Sequence, residues 1–169
     1  MVLYHYKMAD AAERMYANVS SFFKYIIERI YLSFNDNLVY YDSVTRCRSR
    51  FYYDTVICPK YEKRECVVVF VDINDLKYIN DTYGHQQGTE HIKNIAEQLK
   101  ALPNIVHVCR VGGDEFLLIG NTRFEDVSLR QIRGISYGAV LKHKSDTLHD
   151  VIKKADSKMY DMKRAMKKP

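Results

Sequence analysis

The stretch Arg110-Val-Gly-Gly-Asp-Glu-Phe116 lies between two short apolar segments of the sequence. A Gly-Gly pair in this setting predicts a tight turn that joins two strands of a hairpin. Because glycine has no side chain, a bulky ligand could approach the backbone at Gly112 and Gly113, where N–H groups could point at it. Asp114 and Glu115 follow, and strand alternation predicts opposite directions and different roles for them. An ordinary hairpin whose acids only aid solubility would have the same pattern.

A further acid follows the apolar run Cys66-Val-Val-Val-Phe-Val71. This run is typical of a central strand that is covered on both faces. A bare carboxylate at the edge of a core is costly without a partner, so Asp72 needs one. If the run lies beside the hairpin, Asp72 and Asp114 converge on one divalent cation, and oxygen ligands favour magnesium over zinc. Two carboxylates beside a glycine turn suit triphosphate chemistry.

Hydrophobic periodicity and turn residues predict the remaining elements. Helices are predicted at 10–34, 42–56, 75–81, 86–102 and 148–166, and strands at 66–71, 105–111, 115–119 and 133–140. This order predicts an α+β fold in which helices pack on a mainly antiparallel sheet. The linker candidate Asn35-Asp-Asn37 separates an N-terminal amphipathic helix (1–37) from the main domain (38–169). That helix could pack on its own domain or on a second copy of the chain.

Composition excludes several classes of protein. With 169 residues, 47% of them hydrophobic, the chain can bury the core of one domain. We expect a cytoplasmic protein without a membrane partner, because no apolar run approaches the ~20 residues of a membrane span and no signal peptide is evident. The 4 cysteines lack zinc-site spacing. The net charge of +5 favours an anionic ligand, whereas nucleic acid is unlikely without a stacking motif or a basic stripe.

Two longer motifs carry a family resemblance. Val71-Asp-Ile-Asn-Asp-Leu-Lys-Tyr-Ile-Asn-Asp-Thr-Tyr-Gly-His-Gln-Gln-Gly88, followed by Arg-Val-Gly-Gly-Asp-Glu-Phe, resembles the GGDEF family of diguanylate cyclases. Ile135-Ser-Tyr-Gly138 and Ala155-Asp-Ser-Lys-Met-Tyr160 extend the similarity. The resemblance implies a fold like the palm of nucleotide polymerases and of adenylyl cyclases. It also implies that each of two domains binds one GTP, and that each 3′-hydroxyl attacks the α-phosphate of the other. Two pyrophosphates and cyclic di-GMP result, so a homodimer is needed.

The resemblance also implies roles for individual residues. Magnesium, with manganese as an alternative, would be bound by Asp72, the carbonyl of Ile73, Asp114 and Glu115. Asp114 would also help to deprotonate the attacking hydroxyl. The substrate would be contacted by phosphate-holding Lys77, Lys163 and Lys167, purine-reading Asn80, the pocket residues His85 and Thr89, and the turn glycines Gly112 and Gly113. Other interpretations stay open: Lys77 as a solvated helix lysine, His85 as a turn residue, and Asn80 as a helix cap.

Thr89 departs from the family pattern, which usually has an aspartate that accepts two hydrogen bonds from the guanine edge. A threonine offers one hydroxyl, so guanine selection should weaken by ~1–3 kcal/mol. We therefore expect relaxed purine choice, with ATP and a mixed product allowed, unless Thr89 only begins a helix. Lys167 replaces an arginine that usually grips phosphate, which keeps the charge but loses the fork geometry. The alternative function is a catalytically impaired module that binds a nucleotide or a signalling partner without turnover.

Overall fold

The computed structural model describes residues 39–166 together with residues 22, 23 and 26. The chain divides into two compact units, Met1–Leu38 and Val39–Pro169. In the first unit the three described residues are helical. The rest of the helix predicted at 10–34 lies outside the described residues, as does Lys167. The division into 1–37 and 38–169, with its proposed roles, stays a prediction.

The second unit is built on a five-stranded sheet. Its strands are β1 (Arg48–Ser49), β2 (Cys66–Ile73), β3 (Ile105–Arg110), β4 (Glu115–Gly120) and β5 (Ile135–Lys142), in the spatial order β1-β3-β4-β2-β5. β2 pairs antiparallel with both β4 and β5, and β3 pairs antiparallel with β4, whereas β1 and β3 are parallel. The predicted α+β class and mainly antiparallel sheet are confirmed. β2 continues past the predicted end at residue 71, so Asp72 lies within the strand.

Helices cover both faces of this sheet. They are α1 (Arg50–Tyr52) and α2 (Cys58–Tyr61), which a π-helical turn (Tyr53–Ile57) joins, then α3 (Leu76–Tyr83), α4 (His85–Lys100) and α5 (Leu148–Met166). Val67, Val69 and Val71 of β2 share one core with α4, while Cys66 and Val68 share the other with α5 and the π-helical turn. The apolar run is therefore buried on both sides, as predicted. Every helix in the described part of the chain is too short or too polar to traverse a bilayer.

The prediction of a helix at 42–56 is wrong about where the helix begins. The carboxylate of Asp42 accepts hydrogen bonds from the N–H (2.8 Å) and the hydroxyl (2.7 Å) of Thr45, which closes a turn instead. Such short polar side chains compete with the helical backbone. The helix begins later, where the hydroxyl of Ser49 caps it by accepting the N–H of Tyr52 (3.2 Å). The helical stretch continues from there through Pro59, which lies in the first turn of α2.

β5 and α5 approach each other most closely at Gly138. A Cβ atom at this position would overlap the backbone carbonyl oxygen of Ala155 and crowd the side chain of Lys158. Glycine is therefore required here by the distance between the strand and the helix rather than by its own dihedral angles. The contact matters for the site because α5 carries residues that face the open end of β2.

We expect Gly138→Ala to destabilise the protein by about 1–3 kcal/mol, because a backbone oxygen cannot rotate away from the added methyl group. The measurement is urea unfolding followed by circular dichroism. Gly113→Ala is the matched control, since a Cβ there has no atom within 4 Å. The control should change the free energy of unfolding by less than about 0.5 kcal/mol. Equal stability of the two variants would contradict the close packing of α5 on β5.

Candidate active site

Backbone pairing brings the acids of two separate motifs to one end of the sheet. The register of β2 and β4 places Asp72 opposite Glu115. One residue further, the N–H of Ile73 donates to the carbonyl oxygen of Asp114 at 2.9 Å. The end of the buried strand and the acidic turn are thus joined directly, although more than forty residues separate them in the sequence.

Asp72 has a cationic partner from a third element. It is 7% exposed, and its Oδ1 lies 2.6 Å from the Nζ of Lys163 in the last turns of α5. A buried carboxylate needs a cationic partner, because the free energy that it loses on leaving water is otherwise not offset. Lys163, which the resemblance implies as a phosphate ligand, is therefore also the counter-ion of the predicted metal ligand.

The carboxyl group of Glu115 lies in a region of concentrated negative charge. Burial raises the pKa of its carboxyl, and the nearby charges of Asp114, Asp72 and Asp156 raise it further, while Lys163 acts in the opposite direction. Crowded carboxylates of this kind favour a bound cation. Asp156 on α5 is missing from the residues that the sequence predicts for the site. It lies within the quoted motif of 155–160, but sequence alone does not show that α5 faces the turn.

The two glycines of the turn have different surroundings. The N–H of Gly112 donates to the carbonyl oxygen of Glu115 at 3.3 Å, so it is already used within the turn. Neither turn glycine has a positive φ; among the described glycines, Gly84 and Gly134 do. A Cβ on Gly112 would overlap the carboxylate of Glu115, whereas Gly113 is exposed and surrounded by open space. Gly112 therefore makes room for an acid, and Gly113 leaves the tip of the turn bare.

Arg110 links the glycine turn to the turn at Asp42. Its Nη1 lies 3.0 Å from Oδ1 of Asp42, and its Nη2 donates to the carbonyl oxygen of Gly113 at 2.6 Å. Burial alone would raise the pKa of Asp42, but hydrogen bonds from Thr45 and Arg110 outweigh it and hold the pKa below its ordinary value of 3.8. The turn at Asp42, where the sequence predicts a helix, thus helps to position the acidic hairpin.

A cavity of about 570 Å³ opens beside these acids. Of the predicted site residues, the structure places Ile73, Lys77, Asp114 and Lys163 along its wall. Asp75 and Asp81 also line it, so two lysines and three aspartates border the same space. Cationic side chains next to a carboxylate are suited to a polyphosphate that arrives together with a divalent cation.

The predicted purine-reading residues lie elsewhere, at the junction of α3 and α4. Asn80 is half-buried and packs so closely over Gly88 that a Cβ there would overlap its amide oxygen. His85 is exposed as the first residue of α4, and Thr89 lies inside that helix. The hydroxyl of Thr89 donates to the carbonyl oxygen of His85 at 2.8 Å, so its hydrogen is committed. The interpretations of Thr89 as a helix start and of Asn80 as a cap are wrong.

The donor set fits magnesium or manganese bound together with a substrate. Within the residues that the structure describes, no three His, Cys, Asp or Glu side chains meet closely enough to enclose a metal ion. Magnesium, however, is commonly bound by one or two carboxylates, with phosphate and water oxygens completing its octahedron. Asp72 and Asp114 can supply such carboxylates at the edge of the cavity.

Comparison with known proteins assigns the family. The model of the family described as "Diguanylate cyclase, GGDEF domain" matches residues 39–125, about half of the chain. The chain belongs to the GGDEF domain family. The probable diguanylate cyclase DgcJ of Escherichia coli is 26% identical to this GGDEF chain over 144 residues, which is 70% of the chain and 29% of DgcJ. Diguanylate cyclase VdcA of Vibrio cholerae is 30% identical over 120 residues, which is 57% of the chain and 35% of VdcA. The chain thus spans about a third or less of these curated relatives.

Solved structures of other GGDEF domains share the fold. The coiled coil and GGDEF domain of DgcB from Caulobacter crescentus, in complex with c-di-GMP, aligns with a TM-score of 0.76 at 22% identity. The alignment covers 87% of this chain and 92% of that one. The separate GGDEF domain of the same DgcB aligns with a TM-score of 0.65 at 25% identity, over 75% of this chain and 91% of that one.

We expect Asp42→Ala to lower the free energy of unfolding by about 1–3 kcal/mol, since Arg110 and Thr45 lose their acceptor. Because the folded-state pKa is lowered, this contribution is present above pH 3.8 and is lost as the pH falls through that pKa. Urea unfolding from pH 7 down to pH 3 measures it, and the difference from wild type should shrink only at the acid end.

Asp54→Ala is the control for this variant. Asp54 pairs with Arg50 at 3.0 Å, but both side chains are at least half exposed. Such a pair contributes less than about 0.5 kcal/mol. A loss of stability for Asp54→Ala that matches Asp42→Ala would show that the turn at Asp42 has no special role.

Proposed function

We propose that this GGDEF domain is a cytoplasmic nucleotidyl cyclase that condenses two purine nucleoside triphosphates into a cyclic dinucleotide with release of pyrophosphate. GTP is the expected substrate, and ATP is admitted as a second one. The observation that carries the proposal is the cavity in which Lys77, Lys163 and Asp114 face one space beside Asp72. Its charges match a triphosphate that binds together with a divalent cation.

In this proposal the residues in and beside the cavity have different roles. Lys77 and Lys163 bind phosphate oxygens, and Lys163 exchanges its pairing with Asp72 for the substrate. Asp72, the carbonyl of Ile73 and Asp114 would hold the metal, with Glu115 beside them. Bound magnesium would neutralise charge that develops on the α-phosphate. Asp114 would also accept the proton of an attacking 3′-hydroxyl.

A homodimer follows from the chemistry of the proposed reaction. One cavity holds one triphosphate, whereas a cyclic product needs two 3′-hydroxyl attacks on two α-phosphates. Two copies that face each other supply both. The proposal for the dimer rests on the family resemblance.

A nucleotide-binding module without turnover is the second candidate. Two observations favour it: the hydroxyl of Thr89 is committed within α4, and the ammonium of Lys163 is held by Asp72. Such a module would bind GTP with magnesium but would release no pyrophosphate.

Incubation of the protein with labelled GTP, ATP and magnesium tests the function. We expect pyrophosphate release and a cyclic dinucleotide identified by mass, and we expect Asp114→Asn to lower kcat by roughly 10²–10⁴-fold. Asp54→Asn, an exposed acid outside the cavity, should keep full activity. Nucleotide binding by the wild type without any pyrophosphate would reject the enzyme and favour the binding module.

Base selection has its own test at Thr89. We expect the wild type to use both GTP and ATP, and Thr89→Asp to raise the GTP preference in kcat/KM by about tenfold or more, as a restored acceptor pair implies. Thr82→Asp, which adds the same charge at an exposed position of α3, should leave the preference unchanged. Strict rejection of ATP by the wild type would contradict relaxed purine choice.

A further inference from the structure

Tyr78 contributes an aromatic ring to the wall of the cavity. Its neighbours along this wall include Lys77, Asp81 and Asp114. The side chain is 62% exposed, although a tyrosine on a helix surface usually buries its ring against apolar neighbours. Tyr78 is the aromatic residue among the described residues that line the cavity. The face of its ring is therefore available to a ligand that enters the cavity.

The geometry of α3 separates this ring from the proposed purine-reading side. Side chains turn by about 100° per residue in a helix. Asn80, two positions on, therefore leaves α3 roughly 200° away from Tyr78, while Lys77 points between them. Asn80 also packs over Gly88 and does not line the cavity. A base that is read by Asn80 is thus out of reach of the Tyr78 ring.

The proposed reaction brings a second nucleotide to the cavity, and its nucleoside needs a binding surface there. If Lys77 and Lys163 hold one triphosphate, the attacking 3′-hydroxyl must reach its α-phosphate inside the same cavity. It belongs to the nucleotide of the other copy, so that nucleoside enters from the open side. We propose that Tyr78 positions this incoming nucleotide by stacking against its nucleoside. This inference rests on the proposed cyclase function.

Stacking has a recognisable signature. Every base has a π-face, so an aromatic platform tolerates guanine and adenine alike. Loss of the ring should therefore slow the condensation of GTP and of ATP by a similar factor, whereas a change at Thr89 should alter their ratio. The first nucleotide, held by phosphate contacts and at the α3–α4 junction, should bind as before.

The experiment compares Tyr78→Ala and Tyr78→Phe with Tyr160→Ala. Tyr160 lies on α5 and is 57% exposed, and it is not among the residues that line this cavity. Titration calorimetry with 3′-deoxy-GTP, which cannot attack, measures binding of one nucleotide to dilute protein. Pyrophosphate release measures condensation. We expect Tyr78→Ala to lower kcat about tenfold with Kd for 3′-deoxy-GTP within twofold of wild type. Tyr78→Phe and Tyr160→Ala should both match wild type.

Three different results would contradict the inference. An active wild type with a Tyr78→Ala rate within twofold overturns the role of Tyr78 and leaves the cyclase function intact. A Kd that weakens as much as kcat falls would assign Tyr78 to the first nucleotide instead. A wild type that binds 3′-deoxy-GTP but releases no pyrophosphate from GTP contradicts both the inference and the cyclase function.

Discussion

The pairing of β2 with β4 is the constraint on which the rest of this domain depends. Its ladder ends where the N–H of Ile73 meets the carbonyl oxygen of Asp114. Because backbone hydrogen bonds fix the relative height of two strands, they also fix where Asp72 lies relative to the acidic turn. A slip by one residue would send Asp72 to the other face of the sheet, away from the acidic turn.

That pairing creates an electrostatic problem that α5 balances. Asp72, Asp114, Glu115 and Asp156 raise the local negative charge, which shows in the raised pKa of Glu115. Lys163 offsets part of it through its ion pair with Asp72. One ammonium does not neutralise four carboxylates, so the region retains an affinity for additional positive charge. The close approach of α5 to β5 at Gly138 keeps that lysine-bearing helix against the sheet.

The hairpin is held from its outer side by residues remote in sequence. Arg110 links the carbonyl of Gly113 to the carboxylate of Asp42, whose turn is closed by Thr45. Hydrophobic spacing cannot reveal such a turn, because the deciding hydrogen bonds are made by polar side chains. The same limit applies to Thr89, whose family position is visible in the sequence but whose bond to the His85 carbonyl is not.

The class of fold, the buried central strand, the hairpin and the GGDEF family can all be deduced from the sequence. Each of them is encoded in local periodicity or in a contiguous motif. The sequence also named four of the ten residues that line the cavity, namely Ile73, Lys77, Asp114 and Lys163. The structure alone shows that Asp156 acts on Glu115 and that Lys163 pairs with Asp72. It also shows that Asn80 packs over Gly88, whereas Tyr78 lines the cavity. These relations depend on strand register and helix rotation, which are set by packing between elements far apart in the chain.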